Sequence, residues 1–320
     1  MASRQVVMVA DCDHGAIDIE REVLRDVCPD IAWFQCRRED EVVARCAGAD
    51  GLLIMYAPLT RRVLEQLPRC RVIVRYGVGV DTIDLAAAAE LGIIVSNVPD
   101  YGTFEVADHA LALLLALTRK VGAASGLVKS GQWDFRLSRP IHRHQGQTAG
   151  LIGLGRIGRA MAERTRALGM QVVAHDTRLA RERFPDFVTP VGLEELLAQS
   201  DVVSVHCPLN ESTRMLLDHY RLSLMKPTAY LINTARGRIV DETALAAMLG
   251  EGRLAGAAMD VFASEPAAPD HPLFRYENFL ASPHMAWYSE ESAQELKRKA
   301  AEEVRRVLRG EAPLYQVNNF

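Results

Sequence analysis

Short runs of Val, Ile and Leu alternate with helix-like stretches along almost the whole chain. "VVMVA" is followed by "IDIEREVLRDV", "GLLIMY" by "TRRVLEQL", and "RVIVRY" by "IDLAAAAELG" and then "IIVSNVP". A strand–helix–strand repeat of this kind closes only as a parallel sheet with crossover helices on both faces. The runs are nearly continuous in apolar residues, as strands buried on both faces require. The first series ends near Pro99, and a long helical pattern follows, "TFEVADHALALLLALTRKV" from Thr103 to Val121. The polar stretch from Gln132 to Gln147 reads either as a boundary loop or as a dimerisation arm. A second series opens at Thr148 with "TAGLIGLG" and runs through "MQVVAHD", "DVVSVHC", "AYLINTA", "LAGAAMDV" and "NFLASPH". A charged helix, Ser289 to Gly310, comes last. The expectation is an α/β chain with two doubly wound parallel-sheet domains.

The 320 residues leave room for two domains of ordinary size, and 49% hydrophobic with 24% charged residues is a globular balance. A net charge of −4 gives no polyanion-binding surface, so nucleic acid is not an expected ligand. The six cysteines, Cys12, Cys28, Cys36, Cys46, Cys70 and Cys207, form neither CxxC pairs nor a Cys/His cluster. They read as reduced thiols, and no metal site is expected. "MASRQVVMVADCDHG" has too short an apolar run for a signal peptide, and Ala110–Leu117 reads as a buried helix rather than a bilayer span. These features place the protein in the cytoplasm, with no membrane partner.

The most specific local signal is "LIGLGRIGRAMAERTRALGMQVVAHD". Gly153, Gly155 and Gly158 match G-x-G-x-x-G between an apolar strand and an amphipathic helix that Gly169 ends. In that order Gly153 makes the tight turn, Gly155 admits a pyrophosphate against the backbone, and Gly158 lets the helix pack closely. The first helical turn, with Arg156 and Ile157, offers N–H groups and a positive dipole end to phosphate. The motif alone is weak, but its strand–turn–helix–strand context is complete. Asp176 ends the second strand, where a carboxylate accepts the ribose hydroxyls and repels a 2′-phosphate, favouring NAD(H) over NADP(H). Arg178, two residues on, works against that preference.

Three later stretches fall at the C-terminal ends of predicted strands, where open α/β sheets gather ligands. They are "LINTARGRIVDE" with Arg236, "AAMDVFASEP" with Asp260 and Glu265, and "LASPHMAWYSEE" with His284. Each has an ordinary reading as a loop residue. Together, behind a dinucleotide motif, they supply a cation, an acid and a base at one edge.

With these blocks in view the chain resembles the D-isomer-specific 2-hydroxyacid dehydrogenases over essentially its full length. "VRYGVGVDTID", "GLIGLGRIG", "HCPLNESTRMLL", "LINTARGRIVDETAL", "GAAMDVFASEP" and "SPHMAWYSEES" match the family's blocks in order. "PHMAWYSEES", Arg75 and Tyr56 are most similar to the branch containing the C-terminal binding proteins, which are NADH-binding corepressors. The resemblance implies a flavodoxin-like substrate-binding domain, residues 1–99 plus 290–320, and a Rossmann NAD-binding domain, residues 100–289. Helices near 103–121 and 289–309 would join them. It also implies a homodimer through the cofactor domain.

What the resemblance implies for the site agrees with the chemistry of reducing a small 2-oxo acid. His284 would protonate the carbonyl oxygen, Glu265 would orient His284, and Arg236 would bind the carboxylate and polarise the carbonyl. Cys207, Pro208, Leu209, Asn210 and Thr213 would lie beside the adenosine. Thr234, Ala235 and Arg236 would lie at the nicotinamide ribose, with Val78, Asp260 and His284 nearby, Asp260 at the carboxamide. Cys207 itself reads as a small strand-end residue rather than a reactive thiol. Arg75, Tyr76 and Gly77 would meet the substrate carboxylate. Trp287, which reads either as a pocket residue or as core, would in the first case line the side-chain pocket with Tyr56 and suit a bulky apolar 2-oxo acid. The rival reading is an NADH-sensing corepressor-like scaffold. Hydroxypyruvate or glyoxylate reductase and phosphoglycerate dehydrogenase are alternative activities within the same chemistry.

Overall fold

The computed structural model describes residues 5–318. The first four and last two residues, which the sequence assigns to the substrate-side domain, lie outside the described residues. The chain begins with β1 (Val7–Val9), α1 (Asp18–Leu24), β2 (Ala32–Trp33), α2 (Glu39–Cys46) and β3 (Gly51–Ile54). It continues with α3 (Arg61–Leu64), β4 (Val72–Arg75), α4 (Leu85–Glu90) and β5 (Ile94–Ser96). Then come α5 (Thr103–Arg119), α6 (Val121–Lys129), β6 (Thr148–Ile152), α7 (Arg156–Ala167), β7 (Gln171–His175) and β8 (Val188–Pro190). The last part holds α8 (Leu193–Gln199), β9 (Val202–Val205), α9 (His219–Ser223), β10 (Tyr230–Asn233), α10 (Glu242–Gly250), β11 (Gly256–Met259), β12 (Phe279–Ala281) and α11 (Glu290–Leu308).

The elements form two compact units. One runs to Gly102 and resumes at Ser289, and the other is Thr103–Tyr288. The first has a parallel sheet in the order β2-β1-β3-β4-β5, the flavodoxin-type order. Its inner strands β3 and β4 are apolar because helices cover both faces. On one face α2, α3 and α4 enclose Leu52, Ile54, Ile73 and Val95, and on the other α11 lies over β3 and β4 and packs on α1. Gly51 marks the closest approach: a Cβ there would lie 2.9 Å from Val304.

The second unit has seven parallel strands in the order β12-β11-β10-β9-β6-β7-β8. Counted from β6, this is the dinucleotide-fold order, reversing direction between β6 and β9. One face carries α8, α9 and α10 over Val203, Val205, Leu231 and Met259. The other carries α5 and α7, with Ala107, Ala110, Leu114, Met161 and Ala162 packed on Leu151, Ile232 and Ala258. Gly169 stands at φ 77° after α7, the left-handed turn that ends a helix without a Cβ penalty. Among the described residues no single helix is long and apolar enough to cross a membrane, and the bent pair α5 and α6 passes that test only together. Most of the inward stripe of α5 is buried.

Candidate active site

The turn after β6 sits at the point where the second sheet changes direction. Ile152 pairs with His175 on one side and Val205 on the other. Gly153, at φ 94°, passes so close to the end of β9 that a Cβ would lie 2.7 Å from the Cys207 backbone nitrogen. A Cβ on Gly158 would lie 2.1 Å from the Gly153 carbonyl oxygen. These two glycines are required by the protein's own packing. Gly155 is different: a Cβ there would meet no atom within 4 Å. It is the N-cap of α7 and provides no side-chain cap, so the first-turn N–H groups of Arg156, Ile157 and Gly158 face that open space without one. This is an open cradle of N–H groups, whose polarity suits a diphosphate.

Asp176 closes the cradle at the end of β7. Its Oδ2 accepts from Leu154 N–H (2.8 Å) and its Oδ1 from Arg178 N–H (2.8 Å) and Leu179 N–H (3.0 Å). Burial pushes its carboxyl up, but these N–H groups outweigh burial and hold it below the ordinary carboxylate range. Beyond β9, Thr213 Oγ1 donates to Pro208 O (2.6 Å) and accepts from Asn210 N–H (2.8 Å). Asn210 Oδ1 accepts from Ser212 and Thr213, which knots the 207–213 loop into one shape. Burial pushes the Cys207 thiol up to about 11, so it is a packed thiol.

At the end of β10, Asn233 fixes the turn that presents Arg236. Its Nδ2 donates to Arg236 O (2.9 Å) and its Oδ1 accepts from Ala235 N–H (3.0 Å). Arg236 Nη1 donates to Ala235 O (2.7 Å). The buried Thr234 Oγ1 has no hydrogen-bond partner among the described residues. An orphaned hydroxyl at the sheet's ligand edge is a place for a ligand hydroxyl, as expected at a nicotinamide ribose. The residues present therefore fit a dinucleotide at both the phosphate cradle and this hydroxyl.

His284 Nδ1 and Glu265 Oε2 are 2.6 Å apart, the contact the sequence predicts. Glu265 Oε1 accepts from Phe262 N–H (2.8 Å). Burial raises the Glu265 carboxyl, but the His284 hydrogen bond and charge, the Phe262 N–H and the nearby Arg236 charge hold it below the usual range. His284 itself stands at φ 52°, a left-handed conformation costly for a residue with a Cβ. Asp260 holds it there. The Asp260 carbonyl accepts His284 N–H (2.7 Å). Its carboxylate takes Met285 N–H (3.0 Å) and Ser282 Oγ–H (2.6 Å) on Oδ1, and Ala286 N–H (2.8 Å) on Oδ2. His109 on α5 reaches Ser282 Oγ from below at 2.8 Å. Trp287 completes the brace by donating Nε1–H to His284 O (3.0 Å).

Sequence reasoning set Asp260 at or beside the nicotinamide carboxamide, and in the structure its carboxylate also organises the His284 loop. It did not single out Asn233, Ser282 or His109. Their signal is absent from local sequence because their partners are reached through the fold: His109 and Ser282 lie 173 residues apart.

In the first unit, the β4–α4 loop carries the remaining candidates. Tyr76 is 1% exposed and its hydroxyl donates to Glu20 (2.8 Å). Its side chain is an anchor, so only its backbone can meet a substrate. Gly77 stands at φ 127° with the Arg75 guanidinium folded against it. Arg75 and Arg37 both flank the Tyr56 ring, at 5.9 and 5.8 Å from its centroid. Val78 is exposed and its carbonyl accepts from Asn97 Nδ2 (2.6 Å). Among the described residues, no group of His, Cys, Asp or Glu is placed to hold a metal ion.

A dinucleotide cradle, an imidazole–carboxylate pair and an arginine along one edge of a Rossmann sheet define a nicotinamide-dependent oxidoreductase. Residues 111–286 match the family described as D-isomer specific 2-hydroxyacid dehydrogenase, NAD binding domain. A glyoxylate reductase of Korarchaeum cryptofilum is 39% identical over 286 residues, covering 87% of this chain and 85% of the relative. A crystal structure of a glyoxylate reductase from Paecilomyes thermophila superposes with a TM-score of 0.89 at 28% identity, covering 99% of each chain. A D-lactate dehydrogenase from Aquifex aeolicus, solved with NAD and lactic acid, superposes with a TM-score of 0.87 at 29% identity, covering 95% of this chain and 96% of the other. The chain belongs to the D-isomer specific 2-hydroxyacid dehydrogenase family, and it is an NAD(H)-dependent oxidoreductase of 2-hydroxy acids.

Proposed function

We propose that this dehydrogenase works as a 2-oxo acid reductase with His284 as its proton donor. The observation that carries the reading is the 2.6 Å contact between His284 Nδ1 and Glu265 Oε2, on the sheet edge that also bears the Gly155 cradle. Bound NADH supplies the hydride. Glu265 holds Nδ1, which leaves Nε2 as the atom that gives its proton to the carbonyl oxygen. Arg236 binds the carboxylate and polarises the carbonyl through its guanidinium fork. Arg75 is proposed as a second cation for the carboxylate, and Tyr56 and Trp287 as selectors of the substrate side chain. The ionised Asp176 favours NADH over NADPH.

A panel of 2-oxo acids, from glyoxylate to bulky apolar ones, tested with NADH and NADPH, measures all of this at once. The reading expects turnover with at least one member and a higher kcat/KM with NADH. No turnover on any member, with intact NADH binding, would instead favour a scaffold.

The enzyme is further proposed to be a cytoplasmic homodimer, acting on a small acid and not on nucleic acid or a membrane. Support for the dimer comes from α6, which buries none of its residues. The segment after it exposes Trp133, at 88%, and Phe135, at 76%. An apolar arm of this kind calls for a cover, and a second copy supplies one. Light scattering at micromolar concentration should give twice the chain mass. Trp133→Ser with Phe135→Ser should shift it toward one.

A further inference from the structure

Beneath the loop that carries Glu265 lies a polar pair that neither cofactor binding nor proton transfer uses. Glu242 is the first residue of α10, directly after the N-cap Asp241. Its carboxylate turns away from its own helix. Oε1 accepts Ala263 N–H at 2.7 Å and Oε2 faces His271 Nε2 at 3.2 Å. Both side chains are only 16% exposed. His271 Nδ1 accepts from Leu273 N–H (3.4 Å), which assigns the imidazole proton to Nε2, pointing at Glu242. The His271 ring stands edge-on to Phe262, with centroids 5.4 Å apart, and close to Phe274.

The turn Phe262–Glu265 is thus held from several sides. Phe262 N–H goes to Glu265 and Ala263 N–H goes to Glu242. The Ala263 carbonyl accepts from Arg238 Nε (3.2 Å). A Cβ on Gly237 would sit 1.9 Å from the Phe262 carbonyl carbon, so the turn lies directly on the backbone next to Arg236. No strand pairing fixes the turn, yet Glu265 must meet a histidine 19 residues away within hydrogen-bond reach.

We propose that Glu242, oriented by His271, is a positioning residue for the reaction: it fixes the Phe262–Glu265 turn so that Glu265 meets His284. The inference rests on the assignment of His284 and Glu265 made above. Without the Glu242 carboxylate, Ala263 N–H loses its acceptor and the turn can tilt. A shift on the order of 1 Å at a catalytic contact costs roughly 100-fold in rate.

The test uses the full chain with Glu242→Ala and Glu242→Gln. The alanine variant removes the acceptor, whereas the glutamine variant keeps an oxygen for Ala263 N–H. Proton NMR reads the His284 Nδ1 proton, identified by its disappearance in His284→Gln. Steady-state kinetics with NADH and the best 2-oxo acid read kcat and KM. In Glu242→Ala, kcat is expected to fall about 10- to 100-fold, with both KM values within about twofold of the parent. The downfield resonance should weaken or vanish, and Glu242→Gln should recover most of both. Parent-like kcat and resonance in Glu242→Ala would overturn the proposal. So would a joint collapse of kcat, KM and NADH binding that Glu242→Gln does not rescue. If no 2-oxo acid is turned over by the parent, the functional reading fails, and the resonance still decides the clamp.

Discussion

Replacing Gly155 with alanine should separate cofactor binding from folding. At φ −71° and ψ −159° its backbone is open to any residue, and the new methyl would meet no protein atom within 4 Å. The unfolded chain loses some freedom, worth about 0.4–1 kcal/mol toward stability, while alanine is a poorer N-cap than glycine by a similar amount. Stability without ligand should therefore stay within about 0.5 kcal/mol of the parent. The methyl fills the space assigned to the diphosphate and holds it off the α7 N–H groups. Losing one hydrogen bond to a charged group costs about 1.5–3 kcal/mol, or roughly a 10- to 150-fold rise in the NADH Kd. Gly153→Ala is the contrast. It combines φ 94° with a 2.7 Å approach to Cys207, so it should destabilise the protein before ligand is added, by about 3 kcal/mol. Thermal unfolding and NADH fluorescence titration measure the two quantities. The reasoning fails if Gly155→Ala binds NADH as the parent does, or if it lowers the unmelted population as far as Gly153→Ala.

Other expectations follow from the same geometry. His284→Gln should lose about 100- to 10,000-fold in kcat while NADH still binds, and retained turnover would remove His284 from the acid role. Cys207, its thiol pushed up to about 11, should resist iodoacetamide at pH 8 in the native protein and react after unfolding; fast native labelling would refute its packing. Burial pushes the His206 imidazole down to about 4 from 6.5, so between those values only the unfolded chain takes up the proton. The stability this gives is present above about pH 6.5 and is lost as pH falls toward 4, by an amount on the order of 3 kcal/mol. The Tm difference between the parent and His206→Gln should accordingly change across that window, and a constant difference would contradict it.

Much of this was legible in the sequence because both sheets are built from apolar runs whose order dictates parallel pairing. The strands that escaped notice are β2, with two residues, and β8, Val188–Pro190. Both lie at sheet edges, where a short strand with one neighbour carries no apolar run. Gly153, Gly155 and Gly158 were readable since the turn's needs are local. Asp260 was placed at the edge, but its hold on Met285 and Ala286 was not readable, because it depends on how two strand ends align. The anchoring of the Tyr76 side chain was unreadable for a similar reason, since only the fold of α1 brings Glu20 to its hydroxyl.

The first unit is interrupted in sequence, and that has a consequence for how the protein is made. The helix that covers β3 and β4 is α11, and its Lys297 docks on Glu20 and the Ala16 carbonyl beside α1. A ribosome delivers α11 only after the entire second unit has emerged. Until then β3 and β4 lack their cover on the α1 side, while the second unit already holds all its own strands and helices. Synthesis therefore favours completion of the cofactor fold first, with the nascent first sheet waiting for its last helix as a client for chaperones.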